Sequence, residues 1–200
     1  FVIETTLAAF QQSTWIEILA VTFAIAYVIL AAYENNWCWL AAIISVSLYI
    51  YICYGAKLYS ETGLQLFYLV MAFYGWWQWT KINEANKTVS VTTLNYKTHA
   101  LLIGAGIAIA FPFYFFTKNY TDAALPLPDA LVTSFSIITT FMVTRKILEN
   151  WIYWIVIDSL AIYIYLSRGL QLTAVLYIIY VIIAVMGFIN WKKVYLQQKV

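Results

Sequence analysis

The chain has 200 residues, 64% of them hydrophobic and 10% charged, with a net charge of +2 and a mean hydropathy of +0.80. A soluble domain needs roughly a quarter charged residues to cover its surface, so this composition excludes one and turns apolar side chains toward lipid. The basic residues sit singly or in pairs at the ends of apolar runs, a pattern that gives no basis for nucleic-acid binding.

In a bilayer only helices and closed barrels satisfy the backbone, and long apolar runs without polar alternation select helices. The hydrocarbon core takes about 20 residues per helix, within roughly 17–25. Residues 1–12 are too short and too polar to span, and no cleavable leader is read there. Spans are predicted at 15–33, 37–54, 63–80, 98–117, 130–147, 150–167 and 170–191. Glu34-Asn35-Asn36, Ser60–Gly63, Leu125–Asp129, Asn150 and Arg168-Gly169 separate them, and 81–97 is the longest polar connector. Cys38 and Cys53 fall on one helix about 22 Å apart at ~1.5 Å per residue. That is too far for a disulfide, and both are read as packing residues.

Lys57, Lys118 and Arg168 fall on one side of the seven spans. The other side receives Lys81, Lys87, Lys97, Arg145, Lys146, Lys192, Lys193 and Lys199. Basic residues mark the cytoplasmic side, so the N-terminus is expected outside and the C-terminus inside.

An internal repeat is visible. Asn36-Trp37, Ser45 and Tyr49-Ile50-Tyr51 recur as Asn150-Trp151, Ser159 and Tyr163-Ile164-Tyr165 at an offset of 114. Tyr68, Ala72, Gly75, Trp79 and Lys81 recur as Tyr180, Ala184, Gly187, Trp191 and Lys193 at an offset of 112. The expected fold is an all-α integral membrane protein with seven transmembrane helices in a parallel 3+1+3 repeat. Its parts are a surface segment (1–14), a three-helix bundle (15–80), a polar connector with a linker helix (81–129), a second bundle (130–191) and a cytoplasmic tail (192–200). Such repeats are associated with transporters.

Asp158 is the only charge near the middle of a span. A carboxylate there costs at least about 2.5–3.5 kcal/mol and should face protein or a wet cavity. Helical spacing sets Trp151, Trp154, Asp158 and Tyr165 on one stripe. With Ile44 as its repeat partner, Asp158 breaks the symmetry, as a site for an asymmetric solute requires; a helix-locking hydrogen bond is the other reading. Gln65, Tyr68, Ala72, Trp76 and Trp79 share a face of the third span, and Tyr177, Tyr180, Ala184, Phe188 and Trp191 repeat it. Gln65 offers donors and an acceptor, for a solute or for a neighbouring helix. Asn190, the partner of Gln78, either gates or caps. Aromatic residues make up 19% of the chain. The tryptophans near helix ends read as an interfacial belt, while an inward aromatic stripe beside an acid suits an aromatic cation or a nucleoside.

One histidine, His99, cannot supply paired haem ligands, and no His/Cys/carboxylate cluster fits zinc. Every lysine is at a helix end and no phosphate loop appears, so no cofactor and no enzyme activity are expected.

Three runs carry a family resemblance: Trp15-Ile16-Glu17, Tyr74-Gly75-Trp76-Trp77-Gln78-Trp79, and Thr144–Trp154 (TRKILENWIYW). The chain resembles the bacterial nicotinamide riboside transporters of the PnuC type over nearly its whole length. The resemblance implies a SWEET-like arrangement with substrate held between the two bundles. It also implies uptake of nicotinamide riboside by facilitated diffusion in the bacterial inner membrane, and a homo-oligomer such as a trimer. The expected binding residues are Gln65, Tyr68, Trp76, Trp151, Trp154, Asp158, Tyr165, Tyr177, Tyr180 and Asn190. Transport of another vitamin such as thiamine, or substrate capture for a partner subunit, is the alternative.

Overall fold

The structure, a computed structural model, describes residues 15–55, 59–81, 90–120 and 125–198. The predicted surface segment 1–14 and residues 82–89 of the 81–97 connector lie outside the described residues. Among those residues the chain forms seven helices. They are α1 (Trp15–Ala32), α2 (Cys38–Gly55), α3 (Tyr59–Thr80), α4 (Tyr96–Tyr120), α5 (Pro126–Thr144), α6 (Asn150–Ser167) and α7 (Gln171–Gln197). Six are long and apolar enough to cross a membrane, all but α3. With 22 residues and ~1.5 Å of rise each, α3 also reaches across a ~30 Å core. Its two glutamines and several tyrosines and tryptophans lower its hydropathy.

Several predicted boundaries need correction. α5 starts at Pro126, not 130, because prolines in a first turn forfeit no hydrogen bond. It stops at Thr144, not 147, since Lys146 takes a left-handed backbone (φ 51°). The predicted tail 192–200 is helical as far as Gln197 within α7. Cys38 and Cys53 are both buried and not bonded to each other.

Six helices close a ring in the order α1, α2, α3, α5, α6, α7 and back to α1, while α4 lies outside it, packed mainly on α5 and touching α6 through His99 and Tyr153. One end of this ring is fastened by contacts that recur at a spacing of 112 residues. Gly75 admits the Trp39 ring so closely that a Cβ there would stand 2.4 Å from it. A Cβ on Gly187 would stand 2.7 Å from Trp151. Trp39 meets Trp79 edge-on at 5.3 Å and 87°, and Trp151 meets Trp191 at 5.4 Å and 89°. Trp79 Nε1 donates to the Val143 carbonyl at 3.2 Å, and Trp191 Nε1 to the Ala31 carbonyl at 2.9 Å. Glu34 and Lys146, both with positive φ, pair directly at 3.0 Å.

The second helices of the two halves are therefore also in register at 112, and the partner of Trp151 is Trp39. The predicted offset of 114 for this pair was drawn to Trp37, which is exposed, whereas Trp39 is buried. Trp39, Trp79, Trp151 and Trp191 form a core and not an interfacial belt, all of them 2% exposed or less. Trp15 and Trp37 are outward-facing, as a belt requires.

A strap crosses the same end. Thr92 pairs with the α5–α6 turn through Thr92 N–H to the Lys146 carbonyl (3.0 Å) and Leu148 N–H to the Thr92 carbonyl (2.8 Å). It seats Val91, 2% exposed, in the core cluster that holds Trp79 and Trp191.

Gly75→Ala and Gly187→Ala should each cost about 1–3 kcal/mol through overpacking against an immovable ring. Gly104→Ala, where a Cβ meets nothing within 4 Å, should leave stability unchanged or slightly raised. Thermal unfolding of the three variants in detergent measures the difference.

Candidate functional site

The ring encloses a cavity of about 240 Å³, lined by all six of its helices and not by α4. Ten pairs of its lining residues stand 112 apart, among them Trp39/Trp151, Tyr68/Tyr180 and Ala72/Ala184. Its outline is thus repeated across the two halves, but its chemistry is not. Ala24 answers Ser136, Val28 answers Thr140, Ala42 answers Trp154, and Val46 answers Asp158. Most of the added polarity is on the α5–α6 side. Asp158 is thus opposed by Val46, in place of the Ile44 that an offset of 114 implies.

Asp158 is 5% exposed and lies in this wall. It forms no ion pair or hydrogen bond with another described side chain. Tyr68, Tyr177 and Tyr180 stand within electrostatic range of it. The reading of Asp158 as a helix-locking hydrogen bond finds no partner among the described residues. A carboxylate in this position can act on whatever enters the cavity.

The other expected residues divide cleanly. Gln65, Tyr68, Trp151, Trp154, Tyr177 and Tyr180 line the cavity with Asp158. Tyr165 lies behind the wall, stacked on Tyr177 at 5.1 Å and 26°. Trp76 meets the exposed Trp37 edge-on at 5.8 Å. Asn190 is half-buried at the fastened end, beside Trp191, and does not line the cavity. Both Trp76 and Asn190 lie past the end of the cavity, whose last lining residues are Ala72 on α3 and Ala184 on α7. Trp76 continues the α3 stripe toward the fastened end, and Asn190 enters the expected set only as the repeat partner of Gln78.

Sequence reasoning missed Tyr27, Trp39, Ser45, Tyr49, Ser136 and Thr140, which also line the cavity. Ser45 donates to the Ala20 carbonyl at 2.8 Å and Thr140 to the Ser136 carbonyl at 2.7 Å. An offset of 112 applied to every helix would have pointed to Trp39 from Trp151. Tyr27 has no such signal, because α1 is apolar on all sides.

The family model described as "Nicotinamide mononucleotide transporter" matches residues 14–193. The chain is similar to the nicotinamide riboside transporter PnuC of Neisseria mucosa, at 27% identity over 96% of this chain and 77% of that one. The PnuC of Escherichia coli K12 is 26% identical, over 89% and 85%. The riboflavin/roseoflavin transporter RibM of Streptomyces davaonensis is 22% identical, over 90% and 86%. Among solved structures, a crystal structure of the vitamin B3 transporter PnuC aligns with a TM-score of 0.73 at 27% identity, covering 96% of this chain and 86% of that one.

An unpaired buried carboxylate destabilises the fold that holds it. Asp158→Asn should therefore leave the unfolding temperature unchanged or raise it; a fall of about 4 °C or more, some 1 kcal/mol for a chain of this size, would mean that the acid bonds the helices. Lys146→Met strips a partner from the largely buried Glu34 and should cost about 3–5 kcal/mol in the same melting experiment.

Proposed function

The chain belongs to the nicotinamide mononucleotide transporter family, and from that premise we propose that it takes up nicotinamide riboside across the bacterial inner membrane. The observation that carries this reading is an aromatic-walled cavity with one carboxylate, Asp158, that pairs with no described side chain. Nicotinamide riboside presents a flat cationic ring, a carboxamide and ribose hydroxyls. Aromatic faces attract such a ring by roughly 0.5–2 kcal/mol per contact, and Trp154, Tyr68 and Tyr180 are placed to supply them. Asp158 balances the ring charge. Gln65, Ser136 and Thr140 offer the donors and acceptors that a carboxamide and hydroxyls need. Tyr165 acts through Tyr177. Trp76 and Asn190 are not assigned a contact.

Riboflavin is the named cargo of one relative, and transport of another vitamin is the second reading. A neutral ring would leave Asp158 uncompensated, so the carboxylate favours the cationic guest.

The repeated contacts at 112 support two three-helix bundles, α1–α3 and α5–α7, in a SWEET-like arrangement. One intervening helix, α4, keeps the bundles in the same orientation. The distribution of Lys and Arg supports an outside N-terminus and a cytoplasmic C-terminus. In that orientation the fastened tryptophan end faces the cytoplasm, and bound substrate leaves only when it opens. α4, exposing Leu101, Ile107 and Phe111, offers a face for the homo-oligomer implied by the resemblance. Transport is by facilitated diffusion, since the sequence carries no nucleotide-binding motif.

Purified Asp158→Asn and Gln65→Ala variants should each bind labelled nicotinamide riboside about tenfold more weakly, as expected for a lost hydrogen bond in a charged, desolvated site. Wild-type affinity in both would remove these residues from the site. In liposomes the protein should exchange labelled riboside to equilibrium and no further, with or without an imposed pH gradient. Accumulation driven by the gradient would replace diffusion with proton coupling through Asp158.

A further inference from the structure

A second recess lies on the outside of the ring. It is a groove of about 520 Å³ between α4 and α6, floored by α5. Its wall is apolar except for His99, Glu149 and Tyr153, all at one end. The groove is open to the outside of the ring, where Ile103, Ile152 and Val156 of its wall are exposed, and water needs two to four polar partners to settle in such a recess. Three clustered side chains cannot supply them, so hydrocarbon fills the groove. Its floor is thin: Val132 and Ile157 line both this groove and the central cavity.

Length and polarity identify the occupant. Along α6 the groove runs from Glu149 to Leu160, eleven residues or about 16 Å at ~1.5 Å of rise. That is half of the ~30 Å hydrocarbon core, the depth of one leaflet. The polar trio sits where that leaflet meets water, because Glu149 immediately precedes α6 and His99 is in the first turn of α4. His99 Nδ1 and the Tyr153 hydroxyl are 3.0 Å apart, and His99 Nε2 lies 3.9 Å from Glu149. Among the described residues, the Glu149 oxygens accept only a long hydrogen bond, from Leu94 N–H at 3.3 Å. A carboxylate has about four acceptor positions, so Glu149, which lines the groove, keeps capacity for a further donor.

We infer that this groove is a lipid site, holding one acyl chain of a phospholipid whose primary-amine headgroup rests on Glu149. Charge complementarity selects the amine: a quaternary headgroup has no N–H to donate, and an anionic one meets a carboxylate. Because Val132 and Ile157 separate this chain from the cavity by a single layer of side chains, the lipid also braces the cavity wall.

The test is native mass spectrometry of the full chain, delipidated in detergent and titrated with dioleoyl phosphatidylethanolamine, phosphatidylcholine or phosphatidylglycerol. One phosphatidylethanolamine per chain should be retained, about tenfold more tightly than either other lipid, as a charge-assisted hydrogen bond allows. Glu149→Gln, which still offers Leu94 an acceptor, should reduce this to the phosphatidylcholine level. Val156→Trp, at a position 64% exposed, should fill the groove and abolish retention while leaving the melting temperature unchanged. Equal retention of all three headgroups, or a lipid that persists in Val156→Trp, overturns the assignment. So does loss of an oligomer in Val156→Trp, which would place a second copy of the chain in the groove.

Discussion

Two bulky indoles lie where only a hydrogen atom leaves room for them: Trp39 on Gly75 and Trp151 on Gly187. This close approach brings α2 against α3 and α6 against α7, and it aims Trp79 and Trp191 across the ring to the carbonyls of Val143 and Ala31. A Cβ at either glycine would separate the helices and draw both donors away from their acceptors. The arrangement of the fastened end follows from these two contacts. Dispersion between packed rings provides the attraction, and the two cross-ring hydrogen bonds provide the direction.

The cavity inherits its shape from that end. Helices held apart at the middle of the ring but joined at one end leave a space whose walls match in outline, since the backbones on the two sides repeat. Chemical difference then enters by side-chain replacement alone. Serine for alanine, threonine for valine and aspartate for valine add polarity without altering the backbone path. A repeating outline thus carries an unsymmetrical set of side chains.

Much of the ring was legible in the sequence. Apolar runs of span length located all seven helices, because lipid imposes a single period and a narrow range of lengths. Asp158 was identified through cost: a carboxylate at mid-span is too expensive to be incidental. Tyr68, Tyr177 and Tyr180 came from the repeat. The failures have a common origin. In a helix that is apolar all round, composition does not fix rotation. Trp37 and Trp39 could not be told apart by letters, although one faces outward and the other anchors the core. The start of α5 was missed because two prolines read as a break, yet they stand in the first turn where proline fits.

The Glu34–Lys146 pair joins residues that occupy the same place in their respective halves. A position that touches its own equivalent lies on the rotation axis relating the halves. Two copies of the first half assembled alone would bring glutamate against glutamate there, and two copies of the second would bring lysine against lysine. Either homodimer would bury like charges in contact. Opposite charges at this one position thus favour the pairing of unlike halves over like ones.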